Sequence, residues 1–193
     1  MKIETAHSLA ATAQEGITVT QVKNVIDAFV DAISRCPICD RSGVFIFGRN
    51  TAVDAPADAL FHAWTTREAM EMWYRDRPDD VARVVELDVR IGGRYRVEFG
   101  PAGQKPYVES GEYLEIDPPH HLVMTETLDS PDGTAWSGTT VTVALEPRGD
   151  KTLLVLVHEN FPSTERRNDA ATGWPGFLDR IERLVASTDM AAE

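Results

Sequence analysis

The amino-acid sequence predicts an α+β domain, in which an antiparallel sheet of about seven strands packs against a long C-terminal helix. Three observations carry this prediction. Segments of alternating apolar and polar residues follow one another through the middle of the chain, short turn signals separate them, and the last segment changes to helical spacing. Because strands joined by short turns run antiparallel, this meander predicts one sheet with a face covered by the helix.

The predicted domain opens with one strand and two short helices. The strand covers residues 44–53 and ends before Pro56, because proline suits the first position of a helix. The first helix carries apolar residues at helical spacing, which are Leu60, Phe61 and Trp64. Thr65 and Glu68 have the spacing of a capping box, which predicts a second helix that ends near Trp73.

The meander follows these helices. Its predicted strands cover residues 81–89, 94–99, 107–116, 121–128, 137–145 and 153–158. Turn signals rich in glycine, proline and aspartate separate the strands.

The last predicted element is an amphipathic helix. Its apolar residues recur at helical spacing and are Trp174, Phe177, Leu178, Ile181, Leu184 and Val185. Pro175 lies inside this pattern, which predicts a kink or a restart of the helix there. Because one helix covers only part of a long curved sheet, we expect a cavity between the two.

Composition and charge exclude several classes of protein. The chain has 193 residues, enough for one domain with a small appendage, and its formal net charge is −12. That charge repels phosphate, so we expect no nucleic-acid partner. No segment approaches the ~18–20 consecutive apolar residues of a membrane span, and the N-terminus lacks the residue order of a signal peptide. We therefore expect a cytoplasmic protein without a membrane partner.

The two cysteines, Cys36 and Cys39, are too few for a disulfide framework and indicate a reducing compartment. Their C-x-x-C spacing suits two zinc ligands, but a closed zinc site takes four and no second pair follows. A metal shared across a dimer remains an alternative, as does metal binding by His120 and His121, which we interpret as part of a turn. The sequence contains no nucleotide-binding loop and no nucleophile elbow, and we expect no cofactor and no metal site.

An N-terminal helical extension of residues 1–42 precedes the main domain, which we place at residues 43–188 with a disordered tail at 189–193. The second helix of the extension, residues 18–35, has apolar side chains on more than one side. Its surplus face must meet either the outside of the domain or a second copy of itself. Since two-fold dimers are the commonest oligomers, we predict a homodimer through residues 1–42.

Several motifs of the main domain resemble one known family. In chain order they are Val53-Asp54-Ala55-Pro56, Ala63-Trp64-Thr65, Trp73, the stretches 89–95 and 111–119, and Gly173-Trp174 with Leu178-Asp179. These motifs look like the homologues of the heat-shock protein 90 ATPase activator, in the SRPBCC superfamily of START domains, polyketide cyclases and Bet v 1 allergens. The resemblance covers residues 44–187. It implies a helix-grip fold, a bent antiparallel sheet around the C-terminal helix, with an internal hydrophobic cavity.

A weaker resemblance covers residues 1–50. Two helices around Gly16 and a following segment at 45–49 are similar to the helical half of histone-like HU proteins. That half mainly builds the dimer in HU proteins, and the basic arm that grips DNA is missing here. The resemblance therefore implies dimerisation.

The expected cavity has a set of candidate lining residues. They are Trp64, Trp73, Tyr95, Phe99, Tyr113, Trp136, His158, Trp174 and Phe177. Aromatic side chains suit flat apolar ligands, although each of them is equally suited to an ordinary core. His158 ends the last strand and has two interpretations, a general base at the cavity or a histidine satisfied locally.

These residues support three functional hypotheses. The first is a module that binds a small hydrophobic or aromatic ligand in the cavity. The second is an enzyme with cyclase, aromatase or hydrolase-like chemistry that uses His158 or Tyr113 as acid or base. The third is a chaperone-associated interaction protein, which the family resemblance suggests. The sequence leaves open whether the protein is an enzyme.

Overall fold

The computed structural model describes the backbone of residues 47–189 and the side chains of residues 51–187. The described part contains seven strands and three helices. In chain order they are β1 (Phe47–Val53), α1 (Ala57–Thr65), α2 (Arg67–Trp73), β2 (Asp80–Leu87), β3 (Arg94–Pro101), β4 (Tyr107–Asp117), β5 (His121–Asp129), β6 (Ala135–Arg148), β7 (Lys151–Glu159) and α3 (Thr164–Asp189).

Several predictions fall outside these residues. The N-terminal extension, its proposed dimer, the HU-like pattern and both cysteines belong to the part of the chain that is not described. Of the predicted tail, Asp189 is the last residue of α3, and residues 190–193 lie outside the described range.

The seven strands form one antiparallel sheet in the order β1-β7-β6-β5-β4-β3-β2. From β2 to β7 every strand pairs with its neighbour in the chain, as expected for a meander joined by short turns. The first strand joins the other edge, where Phe47 lies opposite His158 and Val53 lies opposite Thr152. This sheet, with the long helix α3 and the two short helices α1 and α2, confirms the predicted α+β helix-grip fold.

The core lies between the inner face of the sheet and the helices. Sheet residues such as Leu122, Val143 and Leu156 are fully buried, and Leu178 and Ile181 of α3 are buried with them. Period-two alternation of the strands and helical spacing in α3 bring these apolar residues together. Burial of these apolar side chains holds α3 against the inner face of the sheet.

Of the two alternatives predicted at Pro175, a kink or a restart of the helix, the restart is wrong. The helix α3 runs without interruption for 26 residues, with Pro175 inside it. A proline has no backbone N–H to donate to the residue four positions earlier, so one helical hydrogen bond is lost there. Buried Trp174 on one side and buried Leu178 on the other keep both halves packed in the core, and the helix continues.

Several strand boundaries differ from their predictions by one to three residues. The strand β2 ends at Leu87, because the backbone turns between Asp88 and Arg94 and Gly93 N–H bonds the carbonyl of Arg90 at 2.8 Å. The strand β6 is longer than predicted at both ends.

None of the helices α1, α2 and α3 combines the length and the apolar composition that crossing a membrane requires.

Candidate functional site

A cavity of about 150 Å³ lies between the inner face of the sheet and α3. The C-terminal end of α2 closes one side of it. The lining residues are Trp73, Tyr74, Phe99, Tyr107, Glu109, Glu126, Leu128, Trp136, Asp169, Ala170, Gly173, Trp174 and Phe177.

Two further spaces adjoin this cavity. A small one of about 10 Å³ shares Trp73, Tyr74, Glu109, Glu126 and Trp174 with it and is also lined by Trp64, Met70, Tyr95, Tyr113, Met124 and Val141. An open groove of about 430 Å³ shares Tyr74, Phe99, Tyr107, Gly173 and Phe177 with it. The cavity therefore reaches from the core to the surface of the molecule.

Aromatic rings form a continuous wall of the cavity. The Tyr74 ring stacks on Trp73 with ring centroids 4.1 Å apart and contacts Phe99 at 5.0 Å. The Phe177 ring of α3 faces all three at centroid distances of 5.8, 5.5 and 6.0 Å. Such tilted and edge-on arrangements are favourable for aromatic pairs, so the wall is a packed surface.

The candidate lining residues lie in three places. Five of them line the larger cavity: Trp73, Phe99, Trp136, Trp174 and Phe177. Three line the small one: Trp64, Tyr95 and Tyr113. His158 lies next to Trp174 and outside both linings, with its side chain fully buried.

A β-bulge turns Trp136 toward the cavity. Between β5 and β6, Glu126 pairs with Thr139 and Leu128 pairs with Trp136, so β6 has one extra residue there. Gly138 lies at this position with a φ of +74°, a conformation that glycine adopts without steric cost. Without the extra residue, alternation would place Ser137 on the inner face and Trp136 in solvent.

Two glutamates, Glu109 and Glu126, face the cavity from neighbouring strands. Glu109 pairs with Leu128, and Glu126 lies two residues before Leu128, so the glutamates are diagonal neighbours on one face of the sheet. Glu126 is only 4% exposed, and Glu109 is partly exposed. Sequence analysis did not single them out. The sequence did contain a signal for Glu126. It lies two residues after Met124 in a predicted strand, so the two side chains share the inward face.

Hydrogen bonds hold both carboxyl groups. The Tyr74 hydroxyl donates to Glu109 Oε1 at 2.7 Å, and Trp136 Nε1 donates to Glu126 Oε1 at 3.0 Å. Burial raises the pKa of Glu109 to about 7, although the bond from Tyr74 opposes this shift. Burial also raises the pKa of Glu126 well above its usual range, and the nearby charge of Glu109 adds to the effect.

His158 is a neutral histidine in this structure. Its Nδ1 accepts a hydrogen bond from Trp174 Nε1 at 3.0 Å, so the ring proton of the neutral form is on Nε2. That Nε2 lies 3.8 Å from Glu126 Oε1 and has no hydrogen-bond partner among the described residues. Burial lowers the pKa of His158 to about 3, so the ring carries no charge near neutral pH.

Arg180 ties the end of α2 to α3 at the edge of the cavity. Its Nε donates to the carbonyl of Trp73 at 2.6 Å, and its guanidinium pairs with Asp76 at 2.8 Å. The same guanidinium lies 4.6 Å from the centroid of the Phe177 ring. These contacts position the rings of Trp73 and Phe177 at the boundary between the cavity and the groove.

Glu109 predicts a pH dependence of stability. Its carboxyl has a pKa of about 7 when folded against an ordinary value of 4.5, so the folded state retains a proton that the unfolded state has released between these values. The free energy of unfolding that Glu109 contributes is therefore largest below about pH 4.5 and falls by about 1.4 kcal/mol per unit as pH rises to 7. Urea unfolding of wild type and Glu109→Gln from pH 5 to 8 measures this difference. A difference that does not change with pH would contradict the assignment.

Metal ligands do not cluster in the described residues. Between residues 47 and 189 no three histidine, cysteine, aspartate or glutamate side chains come together in a way that would hold a metal ion. His120 lies in the turn that precedes β5, where its Nδ1 is 3.4 Å from the carbonyl oxygen of Leu145. The neighbouring His121 begins β5 and lies 3.7 Å from Glu115.

Comparison with known proteins gives a family and a fold. A family model described as "Activator of Hsp90 ATPase homolog 1-like protein" matches residues 54–186. No curated protein matches the chain.

Solved structures of several bacterial proteins are similar to this one. Protein CV1439 from Chromobacterium violaceum has 24% identity and a TM-score of 0.63, over 73% of this chain and 96% of that one. CalU16 from Micromonospora echinospora has 23% identity and a TM-score of 0.53, over 76% and 79%. An AHSA1-like protein from Aeromonas hydrophila has 18% identity and a TM-score of 0.59, over 74% and 94%. At these identities the similarity shows the fold alone.

Proposed function

The chain belongs to the family of activator of Hsp90 ATPase homolog 1-like proteins, and from that premise we propose that it binds a small hydrophobic or aromatic ligand in its internal cavity. The observation that carries the proposal is the cavity of about 150 Å³ with its wall of aromatic rings. Concave, mostly apolar spaces with a few polar groups are typical of small-molecule sites.

The size of the cavity limits the ligand. An apolar cavity of roughly 150 Å³ in another protein takes up benzene, so the enclosed part of the ligand is about the size of one aromatic ring. A larger ligand would extend past Phe99 and Phe177 into the groove of about 430 Å³. The ligand class is therefore a single apolar ring or chain, with room for a substituent toward solvent.

Intrinsic tryptophan fluorescence tests this proposal directly. All four tryptophans of the chain, Trp64, Trp73, Trp136 and Trp174, line one of the two cavities. Titration with a panel of flavonoids, fatty acids and polyketide-like aromatics is expected to change the emission in a saturable way. A folded protein that responds to no member of a broad panel would contradict the proposal.

A variant that fills the cavity, compared with one on the surface of the same helix, extends that titration. Gly173 lines the cavity on α3, and a side chain added there would meet only Phe177, at 3.9 Å. Gly173→Leu is expected to weaken binding about tenfold or more by occupying the space of the ligand. Ser187→Leu, at the exposed end of the same helix, should bind as wild type does.

Catalysis in the same cavity is the second candidate function, and Glu109 is the observation that favours it. A general acid or base works best with a pKa near the operating pH, and burial raises the pKa of Glu109 to about 7. Burial lowers the pKa of His158, whose Nδ1 already accepts the hydrogen bond from Trp174, and burial raises the pKa of Tyr113, so neither group gains or releases a proton near neutral pH. Mass spectrometry of the recovered ligand separates the two functions, since binding returns it unchanged.

A further inference from the structure

The cavity combines two features that an apolar ligand alone would not need. Its wall consists of aromatic rings, and its floor carries the carboxyl groups of Glu109 and Glu126. An ionised carboxylate accepts several hydrogen bonds, and the donors from Tyr74 and Trp136 occupy only part of that capacity. A purely hydrocarbon ligand would displace water from these groups and offer nothing in return.

No cationic side chain of the protein lines either cavity within the described residues. The nearest candidate, His158, is neutral because its Nδ1 accepts the hydrogen bond from Trp174 and its Nε2 carries the proton. Arg180 lies at the groove, where Asp76 pairs with it. The two glutamates therefore have no internal counter-ion in the described structure.

We infer that the ligand is a small organic cation, a positively charged nitrogen on an apolar or aromatic body, with the nitrogen held by Glu109 and Glu126 against the aromatic wall. This inference rests on the proposed function, ligand binding in the cavity. A cation is attracted to the faces of tryptophan, tyrosine and phenylalanine rings, and most strongly where water is excluded. The aromatic rings and the carboxylates therefore both favour a positively charged ligand.

The net charge of the protein acts in the same direction. With a formal charge of −12, the protein attracts cations toward its surface and repels anions. Asp169 on α3 also lines the cavity, but its carboxylate pairs with Arg166 at 2.8 Å, so the acidic groups left for a cation there are the two glutamates.

The inference also predicts a coupling between ligand binding and proton release. The titratable groups around the two glutamates are Tyr74, Tyr95, Tyr113, His158 and Asp169. At neutral pH the tyrosines and His158 are uncharged, so the charge that they and the two glutamates give the site depends on the ionisation of the glutamates. A bound cation favours their ionised form, so its affinity rises with pH until the carboxyl of Glu109 is deprotonated.

A pair of isosteric probes isolates the charge. Phenyltrimethylammonium and tert-butylbenzene have nearly the same shape, but only the first carries a positive nitrogen, and it has no proton to lose. At pH 8 the cation is expected to bind wild type about tenfold more tightly than the neutral probe, as measured by tryptophan fluorescence. On lowering the pH to 6, the affinity for the cation should fall about tenfold, while that for tert-butylbenzene should stay constant.

Three variants assign the effect to the glutamates. Glu109→Gln and Glu126→Gln preserve shape, and each is expected to reduce the affinity for the cation about tenfold while changing that for tert-butylbenzene less than about twofold. Glu112→Gln is the control, since Glu112 alternates with Tyr113 on β4 and faces away from the cavity. If Glu126→Gln does not fold, the result for Glu109→Gln and the probe comparison in wild type decide.

The outcomes separate this inference from the proposed function. If tert-butylbenzene binds as tightly as the cation, or if Glu109→Gln leaves the affinity for the cation unchanged, the ligand is not a cation and the proposal of an apolar ligand site stands. If a folded wild-type protein binds neither these two probes nor the wider panel, both proposals fail.

Discussion

Replacing Trp174 with alanine is expected to lower the free energy of unfolding by about 3–5 kcal/mol, the range for large aromatic residues in a core. Trp174 is buried on α3, and its ring contacts Trp64 and Phe177 at centroid distances of 6.0 Å each. The substitution also removes the N–H that bonds His158 Nδ1, which leaves a buried acceptor without its partner. Chemical denaturation with circular dichroism detection measures the change.

Two further substitutions separate the packing of Trp174 from its hydrogen bond. Trp174→Phe keeps much of the ring and loses the N–H donor, so we expect a smaller cost of about 1–3 kcal/mol. Combining it with His158→Leu removes both polar partners and should recover part of that loss. Met72→Ala is the control, because Met72 is 52% exposed and its truncation should change stability little. A cost below about 1 kcal/mol for Trp174→Ala would show that the ring does not support the core.

Replacing Gly111 with alanine is expected to destabilise the protein by about 3 kcal/mol, at the upper end of the usual cost of overpacking. A Cβ atom at Gly111 would lie 1.9 Å from the backbone carbonyl oxygen of Thr125 and 2.7 Å from the ring of Tyr95. Backbone atoms cannot rotate away as a side chain does, so β4 and β5 would have to move apart. Thermal and urea unfolding of the variant measure the loss.

Gly173→Ala is the matched control for Gly111→Ala. The nearest atom to a Cβ at Gly173 is 3.9 Å away, which is ordinary van der Waals contact. Alanine is a better helix former than glycine, so this variant should be more stable than wild type by about 0.5–1 kcal/mol. If both alanine variants had the same stability, the close approach at Gly111 would not determine the packing of β4 against β5.

Much of the fold was predictable because its signals are local. Period-two alternation identified the strands, and helical spacing identified α3, since each depends only on which neighbouring side chains share a face. The aromatic candidates had the same basis, and eight of them line one of the two cavities. Their position inside the domain follows from the hydrophobicity of their side chains, which is a property of each residue and does not depend on the fold.

Local patterns failed where tertiary packing outweighed them. Pro175 is a helix breaker by its own chemistry, yet the buried residues on either side of it keep α3 continuous. The alternation in β6 is interrupted at Gly138, and only the pairing with β5 shows that the interruption turns Trp136 inward. His158 was a candidate at the cavity because it ends a strand, but its contact with Trp174 places it outside the lining.

The chemistry of the cavity depends on distances between residues that come from different segments of the chain. The order of residues alone was sufficient for an α+β fold and for an aromatic interior, because periodicity and hydrophobicity are properties of short stretches. The helix-grip arrangement came from the family resemblance of the motifs. Glu109 and Glu126 become neighbours through the register of β4 and β5, and α3, far along the chain, buries them. Burial and proximity to another charge shift a pKa, and both arise only when these separate elements pack together.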